Sequence, residues 1–394
     1  MRLRLIPVFL LAAASPAADL HRDAFVMDGH VHVMTRELLQ GSDIGQRYPD
    51  GHVDLPRARQ GGIDAMFFSI YTPEPYYPAR HEVKNTLRVL ELALDQIAKN
   101  RDVIELARTA SDIERINRQG KMAAFLDLEG AFDLDGDLNV LRAFHRLGLR
   151  SLQLTAHNES NAFIDSCCDE RRWGGLNDHG RAVVREMNRL GMVINVAHAS
   201  EEAMLQTVEA SAQPVIFSHG GFRHVVDVPR SITDRAAKAI AAKGGVIGIQ
   251  FGNSFNNPKF VAWSSRGRPP VGTRLPRRAG PSRFATMPLA EVDREVAKGI
   301  PFVYRGSIPD DIRMGTGQLA RVIDYGVGLV GEDHMALGSD FDGGPPLPRE
   351  IHDISDYPEM TKALQKLGYS EQRIRKILGL NWLRVIRQVT EHPR

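Results

Sequence analysis

Three observations predict an α/β fold of the (β/α)8 type, a TIM barrel. First, short apolar runs with strand character alternate with helical patterns at spacings of roughly 30 residues, as in successive βαβ units. Second, the side chains able to ligate a metal all follow such runs: His30, His32, Glu129, His157, His198, His219 and Asp340. Barrels collect their sites at the C-terminal ends of several strands in this way. Third, no glycine-rich phosphate loop of an open nucleotide-binding sheet is present.

Composition fits one large soluble fold. The 394 residues are 43% hydrophobic, 25% charged and 7% aromatic, with a net charge of +2 from 50 Lys+Arg and 48 Asp+Glu. That balance, with no basic stripe interleaved with aromatics, gives no reason to expect a nucleic-acid partner.

Residues 1–17 carry the pattern of a signal peptide. Arg2 and Arg4 precede an apolar run, and Ser15, Pro16 and Ala17 offer small residues for cleavage. The run is too short to span a bilayer, so the mature chain is expected to have no transmembrane segment. Export to a bacterial periplasm or secretion is the expectation, with a single domain over 18–394.

The first strand lies in FVMDGHVHVM, residues 25–34. Its period of two turns Asp28, His30 and His32 to one side. A buried strand is predicted at 62–71, a helix at 82–100 and another at 107–118. The run MAAFLDL, 122–128, reads as a strand ending at Glu129. A helix at 138–148, a strand at 149–155 and a charged loop to 177 follow. The alternation continues with helices at 179–190, 201–210 and 233–243, and strands at 192–197, 214–217 and 245–251. Residues 252–287, rich in Pro, Arg, Gly and Asn, form a long loop excursion. Helices at 288–299 and 315–328 precede a strand at 335–339. Helices at 358–367 and 370–388, the latter with Ser370 as N-cap, close the chain.

The only two cysteines, Cys167 and Cys168, are adjacent. Adjacent cysteines rarely bond to each other, so packing and metal rather than disulfides are expected to hold the fold.

Four histidines and two or three carboxylates that follow strand-like runs suit a pair of metal ions. Zinc accepts both donor types, and a carboxylate with two oxygens can bridge two ions. Glu129, alone at its strand end, suits the bridge. His52 with Asp54 also forms an HxD pair but precedes a helix and reads as structural or as part of the pocket rim, and Asp342 reads as a turn residue or one that supports the ligands from behind.

These residues sit in segments that together resemble the membrane dipeptidase (renal dipeptidase) family of amidohydrolase-like barrels. The resembling stretches run from DGH at 28–30 through GHVDLPRARQGG at 51–62, LEG at 128–130 and LTAHNESNAFIDS at 154–166. They continue through AHAS at 197–200, SHGG at 218–221, VPRSITD at 228–234 and LGSDFDGG at 337–344. The resemblance implies a zinc-dependent dipeptidase with two Zn2+ bridged by Glu129 and a hydroxide. His30, His32, Glu129 and Asp340 would hold one ion, and Glu129, His198 and His219 the other. His157 would assist the scissile carbonyl, Asp340 would shuttle the proton, and Arg230 would hold the carboxylate of a free dipeptide, L,L or L,D. A homodimer is a further expectation.

The family's usual His-x-Asp is here His30-Val31-His32. The exchange removes a negative charge next to the metals. The expected results are weaker binding of one ion, a more acidic bridging water or an altered metal preference. Met66 in place of a frequent glutamine, and Gly220-Gly221-Phe222 after SH, bear on the pocket. Two further functions stay open: an amidohydrolase acting on N-acyl amino acids or a lactam, and a metal-poor, non-catalytic binding barrel.

Overall fold

Nine strands form one parallel sheet that curls until its two ends meet. They are β1 (Met27–Val31), β2 (Ala65–Tyr71), β3 (Ile104–Ala107), β4 (Met122–Glu129) and β5 (Ser151–Gln153), then β6 (Val193–Asn195), β7 (Val215–Phe217), β8 (Val246–Ile249) and β9 (Met335–Leu337). The computed structural model describes residues 16–32, 41–72, 79–131, 134, 136–155, 160–266, 287–299 and 302–394.

Neighbours run in the order β1-β2-β4-β5-β6-β7-β8-β9. β3 stands outside this path. It pairs with residues 122–125 of β4, while β5 pairs with residues 127–129, so the two share one edge of the longest strand. The seam is closed by backbone: His32 N donates to Phe341 O at 2.9 Å, and Asp340 N to His30 O at 3.0 Å. The expected eight-stranded, TIM-barrel-like architecture is therefore present, with one additional short strand. No strand is predicted at 104–107, because four residues interrupted by Glu105 carry no pattern; pairing with β4 creates it.

Strand alternation divides the interior in two. Ala65, Phe67, Ala123, Phe125, Ile216, Val246 and Ala336 form one buried cluster with Trp382. Met66, Phe68, Ile70, Ala124, Leu126 and Leu128 face the other way and pack with helix residues such as Val183, Val184 and Ile323. The helices lie where the 3.6-residue periodicity places them, for example Ala79–Lys99, Asp178–Leu190 and Thr316–Val330. Side chains of Thr109, Asp137, Asn177, Ser200 and Thr233 cap helix starts by accepting backbone N–H bonds.

The last predicted helix is broken in one place. Ser370 caps Glu371–Arg375 as expected, a π-helical turn follows at Lys376–Leu380, and Asn381–Glu391 completes it. Gly379 explains the turn's place. A Cβ there would lie 2.7 Å from Phe25 O and 2.9 Å from Met27 N, so only glycine lets this backbone touch the entry to β1. The helix then sends the wholly buried Trp382 under the barrel, where its indole N–H donates to Leu337 O at 3.0 Å. Its ring fills the space that a side chain at Gly29 would need.

Residues 1–15, all but the last two of the predicted leader, lie outside the described residues. The chain after them is structured: helix Pro16–Asp23 brings His21 against Thr361 and Gly61 O. Among the described residues, no helix is long and apolar enough to cross a membrane. The excursion at 252–287 begins with two short helices, Asn253–Asn256 and Pro258–Ser264. Its residues 267–286 are not among those described.

One expectation is corrected. Cys167 and Cys168 are joined as a disulfide. Their loop is gripped on both sides, with Cys167 N donating to His198 O at 2.7 Å and Cys168 N to Ser166 Oγ at 3.3 Å, which turns the two sulfurs together. A bond between neighbours closes no long loop, so it adds little chain-entropy stabilisation, and packing still holds the fold.

Candidate metal centre

The polar residues predicted at the strand ends converge on one buried spot. Glu129 is the last residue of β4, His219 lies two residues past β7, and His198 and Asp340 lie three past β6 and β9. His30 is within β1 and His32 one residue beyond it, where the β1–β2 register shifts between Asp28 and Val31. That irregularity separates Asp28 from the two histidines. Its Oδ1 accepts from His30 N at 3.0 Å and Ser339 N at 2.9 Å, so it fastens backbone rather than joining the cluster.

Backbone conformation helps aim two of these side chains. His198 and Asp340 have φ of 67° and 62°, in the left-handed region that non-glycine residues seldom occupy. Each follows a strand closely and must turn at once to present its side chain to the centre.

Around Glu129 the geometry divides into two halves. Oε2 lies 3.2 Å from His30 Nε2 and 3.0 Å from His32 Nε2, and the two imidazole nitrogens are 3.0 Å apart. Asp340 Oδ1 joins this half, 3.2 Å from His32 Nε2 and 3.9 Å from His30 Nε2. Oε1 faces the other half at 3.3 Å from His198 Nε2, which is 3.2 Å from His219 Nε2. Donors around a tetrahedral ion with bonds of about 2.0–2.1 Å are separated by about 3.3 Å, close to these spacings. Among the described residues, three groups place one ligand atom per residue within 4.8 Å of one another: His30–His32–Glu129, His30–His219–Asp340 and Glu129–His198–His219. The donor set fits metal ions, and the one carboxylate common to both halves is Glu129.

Hydrogen bonds behind the clustered side chains set their orientation. His219 Nδ1 lies 2.9 Å from Ser218 Oγ, which already accepts from the Asn195 amide at 2.7 Å. Donation by Nδ1–H leaves the Nε2 lone pair directed at the cluster. Ser69 Oγ donates to Glu129 Oε2 at 3.2 Å, and the Gln250 amide to Asp340 Oδ2 at 2.5 Å. Asn195 and Gln250 had no motif to mark them; each lies on or just after a strand beside a predicted ligand.

Charge tells the same story. Burial pushes the Glu129 carboxyl up, but the charges of His32 and His30 and hydrogen bonds from His198 and His30 outweigh it and hold it well below the usual range. Burial likewise raises Asp340, and the hydrogen bond and charge of His32 bring it down. Burial lowers His32, yet Glu129 and Asp340 drive its proton affinity up to about 10. Glu129 and Asp340 thus favour a positive charge beside them at His32.

Arg230 stands at the edge of this centre, 2% exposed. Its Nη2 donates to His219 O at 2.8 Å, and its guanidinium carbon lies 5.3 Å from the Phe217 ring centre and 5.7 Å from that of Phe255. Nε and Nη1 are buried without a hydrogen-bond partner. Burial lowers the guanidinium's pKa to about 10, so it stays charged at neutral pH. Asp342 accepts from His52 N and Val53 N, tying the loop after β9 to the segment before helix Leu55–Gln60. His157 is not among the described residues.

A parallel barrel with a buried histidine–carboxylate cluster at its C-terminal strand ends defines a metallohydrolase-type protein. Comparison with known proteins is specific. The family profile of membrane dipeptidase (peptidase family M19) matches residues 14–394, and the chain belongs to that family as a metallo-dipeptidase. It is 31% identical over 352 residues to the dipeptidase tcpJ of Claviceps purpurea, covering 86% of this chain and 70% of that one. It is 27% identical over 385 residues to dipeptidase 3 of Rattus norvegicus, covering 95% and 67%. Among solved structures, the probable dipeptidase PvdM of Pseudomonas aeruginosa superposes with a TM-score of 0.77 at 24% identity, covering 95% and 98%. A metallo peptidase of Rhodobacter sphaeroides, liganded with a phosphinate mimic of the dipeptide L-Ala-D-Ala, gives 0.72 at 25% identity, covering 93% and 100%.

Proposed function

We propose that this protein hydrolyses the peptide bond of free dipeptides, L,L and L,D, with two zinc ions. His30, His32, Glu129 and Asp340 hold one ion, and Glu129, His198 and His219 the other. The observation that carries the reading is the divided Glu129 carboxylate, with Oε2 turned to one imidazole pair and Oε1 to the other. When bound, the ions supply Lewis acidity and an activated water.

The chain's own residues do the rest. Asp340, held through Oδ2 by Gln250, has Oδ1 facing the cluster and takes the proton of the attacking water for delivery to the leaving amine. Arg230 offers its unpaired Nε and Nη1 to the carboxylate of the substrate. A longer peptide has no carboxylate at that place, which limits the substrate to dipeptides. His157, assigned through the family resemblance, donates to the developing oxyanion. The L-Ala-D-Ala mimic held by the Rhodobacter sphaeroides relative supports acceptance of a D-residue on the C-terminal side.

The test joins metal content to substrate range. Reconstituted protein should carry two zinc per chain, lose activity on chelation and regain it with zinc. It should cleave free dipeptides, including L-Ala-D-Ala, and leave N-acyl amino acids intact. One zinc or none after reconstitution would contradict the two-ion reading, and cleavage of N-acyl amino acids at comparable rates the dipeptide limit.

A further inference from the structure

We propose that Asp127 is a positioning residue for the metal centre: it accepts the Nδ1 proton of His30 and so fixes Nε2 as the ligand atom. The inference rests on the metal reading above and assigns a role to a residue outside the predicted ligand set.

Asp127 precedes Glu129 by two in β4, so the pleat turns both carboxylates to the same side. It is fully buried, and neither of its oxygens has a hydrogen-bond partner. His30 Nδ1 is equally buried and equally unpartnered, and Asp127 Oδ2 lies 3.9 Å from it. The hydroxyl of Ser151, directly across on β5, is a neighbouring polar group placed to donate to this carboxylate.

An unpaired buried carboxylate is costly, and a fold gains nothing by keeping one. Here it has a use. An imidazole that coordinates through Nε2 carries its proton on Nδ1, and that N–H needs an acceptor in a site closed to water. Asp127 is the carboxylate placed for it. Moving the ring or the carboxylate by about 1 Å brings the pair to the usual length of a charge-assisted bond, about 2.8 Å.

Charge supplies a second reason. Four imidazoles and two carboxylates would leave two divalent ions under-neutralised at this buried spot. Asp127 adds a negative charge beneath the ligands, on the side of His30. The exchange of the expected aspartate for His32 is thereby offset within the same centre.

Metal-free wild-type protein and the variants Asp127→Asn, Asp127→Ala and Ser151→Ala would be titrated with zinc against a chromophoric chelator. Cobalt(II) absorption and the melting temperature of each metal-free form would be recorded in parallel. Asp127→Asn and Asp127→Ala should bind the ion that His30 holds on the order of 10–100-fold more weakly. The asparagine variant, which keeps a neutral acceptor, should lose less. The cobalt bands should shift in both, while the metal-free forms melt no lower than wild type. Ser151→Ala should leave zinc affinity unchanged. Zinc affinity and cobalt spectra like wild type in both Asp127 variants would overturn the proposal, as would a Ser151→Ala variant that reproduces their defect. A wild-type protein that takes up no zinc would overturn the metal reading itself, and this inference with it.

Discussion

The Gln250 side-chain amide donates to Asp340 Oδ2 at 2.5 Å, leaving Asp340 Oδ1 turned to His32 Nε2 at 3.2 Å. The two oxygens of one carboxylate thus have different tasks. One is restrained by a neutral amide, and the other faces the ligands.

This division predicts the effect of removing the amide. Gln250→Ala should keep the ion content, because none of the ligand atoms is changed. It should lower kcat by about 10- to 100-fold through loss of orientation, with little effect on KM. Steady-state kinetics together with metal analysis check it. A KM effect with kcat unchanged would place Gln250 in substrate binding instead.

Arg230 predicts the opposite kinetic split. Truncation to alanine removes a buried fork from its anionic partner, a loss of about 2–5 kcal/mol in comparable buried pairs. KM for dipeptides should rise by about 10²-fold, with kcat less affected. Arg230→Lys keeps the charge without the planar pair of donors and should recover only part of the loss. Unchanged KM in the alanine variant would remove Arg230 from the substrate site.

Asp64 predicts a pH dependence at the other end of the barrel. Burial raises its pKa to about 6, against the hydrogen bond from Val26 N to Oδ2 at 2.8 Å. The folded state therefore holds this proton more tightly than the unfolded chain, whose aspartates titrate near about 3.9. Its contribution to stability is fully present below pH 4 and is lost as pH rises through 6. Asp64→Asn, which keeps an acceptor for Val26 N, should melt higher than wild type at pH 7 and show no such gain at pH 4. Thermal scans across that range give the answer.

Trp382 and Gly29 make a packing prediction. A Cβ at Gly29 would lie 2.5 Å from Trp382 Cζ2 with both groups fully enclosed, so Gly29→Ala forces the indole aside. Trp382→Ala leaves a cavity and should cost about 3–5 kcal/mol. Combining the two should cost less than their sum, because the second substitution removes the clash made by the first. Denaturant unfolding of the three variants measures this coupling.

Much of this centre was legible in the sequence, and the limits have physical causes. His30, Glu129, His198, His219 and Asp340 each follow an apolar run, and a parallel sheet gathers such positions at one end. His32 was placed with His30 by the two-residue strand period, and the structure keeps them together. The same period failed for Asp28, because the register irregularity in β1 lies between it and Val31. Asp127 was also within reach of that rule, since MAAFLDLE places it on the face of Glu129. A lone acid inside an apolar run gave no sign of its neighbour, which is 97 residues away in the chain. Gln250 and Asn195 are ordinary amides in sequence, given meaning only by what the fold sets beside them. The bond between Cys167 and Cys168 depends on how His198 and Ser166 hold their loop, a tertiary effect outside any local pattern.

The seam between β1 and β9 has a consequence for how the protein acquires its metal. Ser339 N reaches Asp28 Oδ1 across 311 residues, and the same junction carries His30, His32 and Asp340. Contacts so distant in sequence are closed late in folding, because loop closure must precede them. A chain still emerging from the ribosome has the two N-terminal histidines but not the aspartate that completes their half of the centre. If these residues hold an ion as proposed, its capture at that half is tied to chain completion, and ion uptake during refolding should follow the docking of β9.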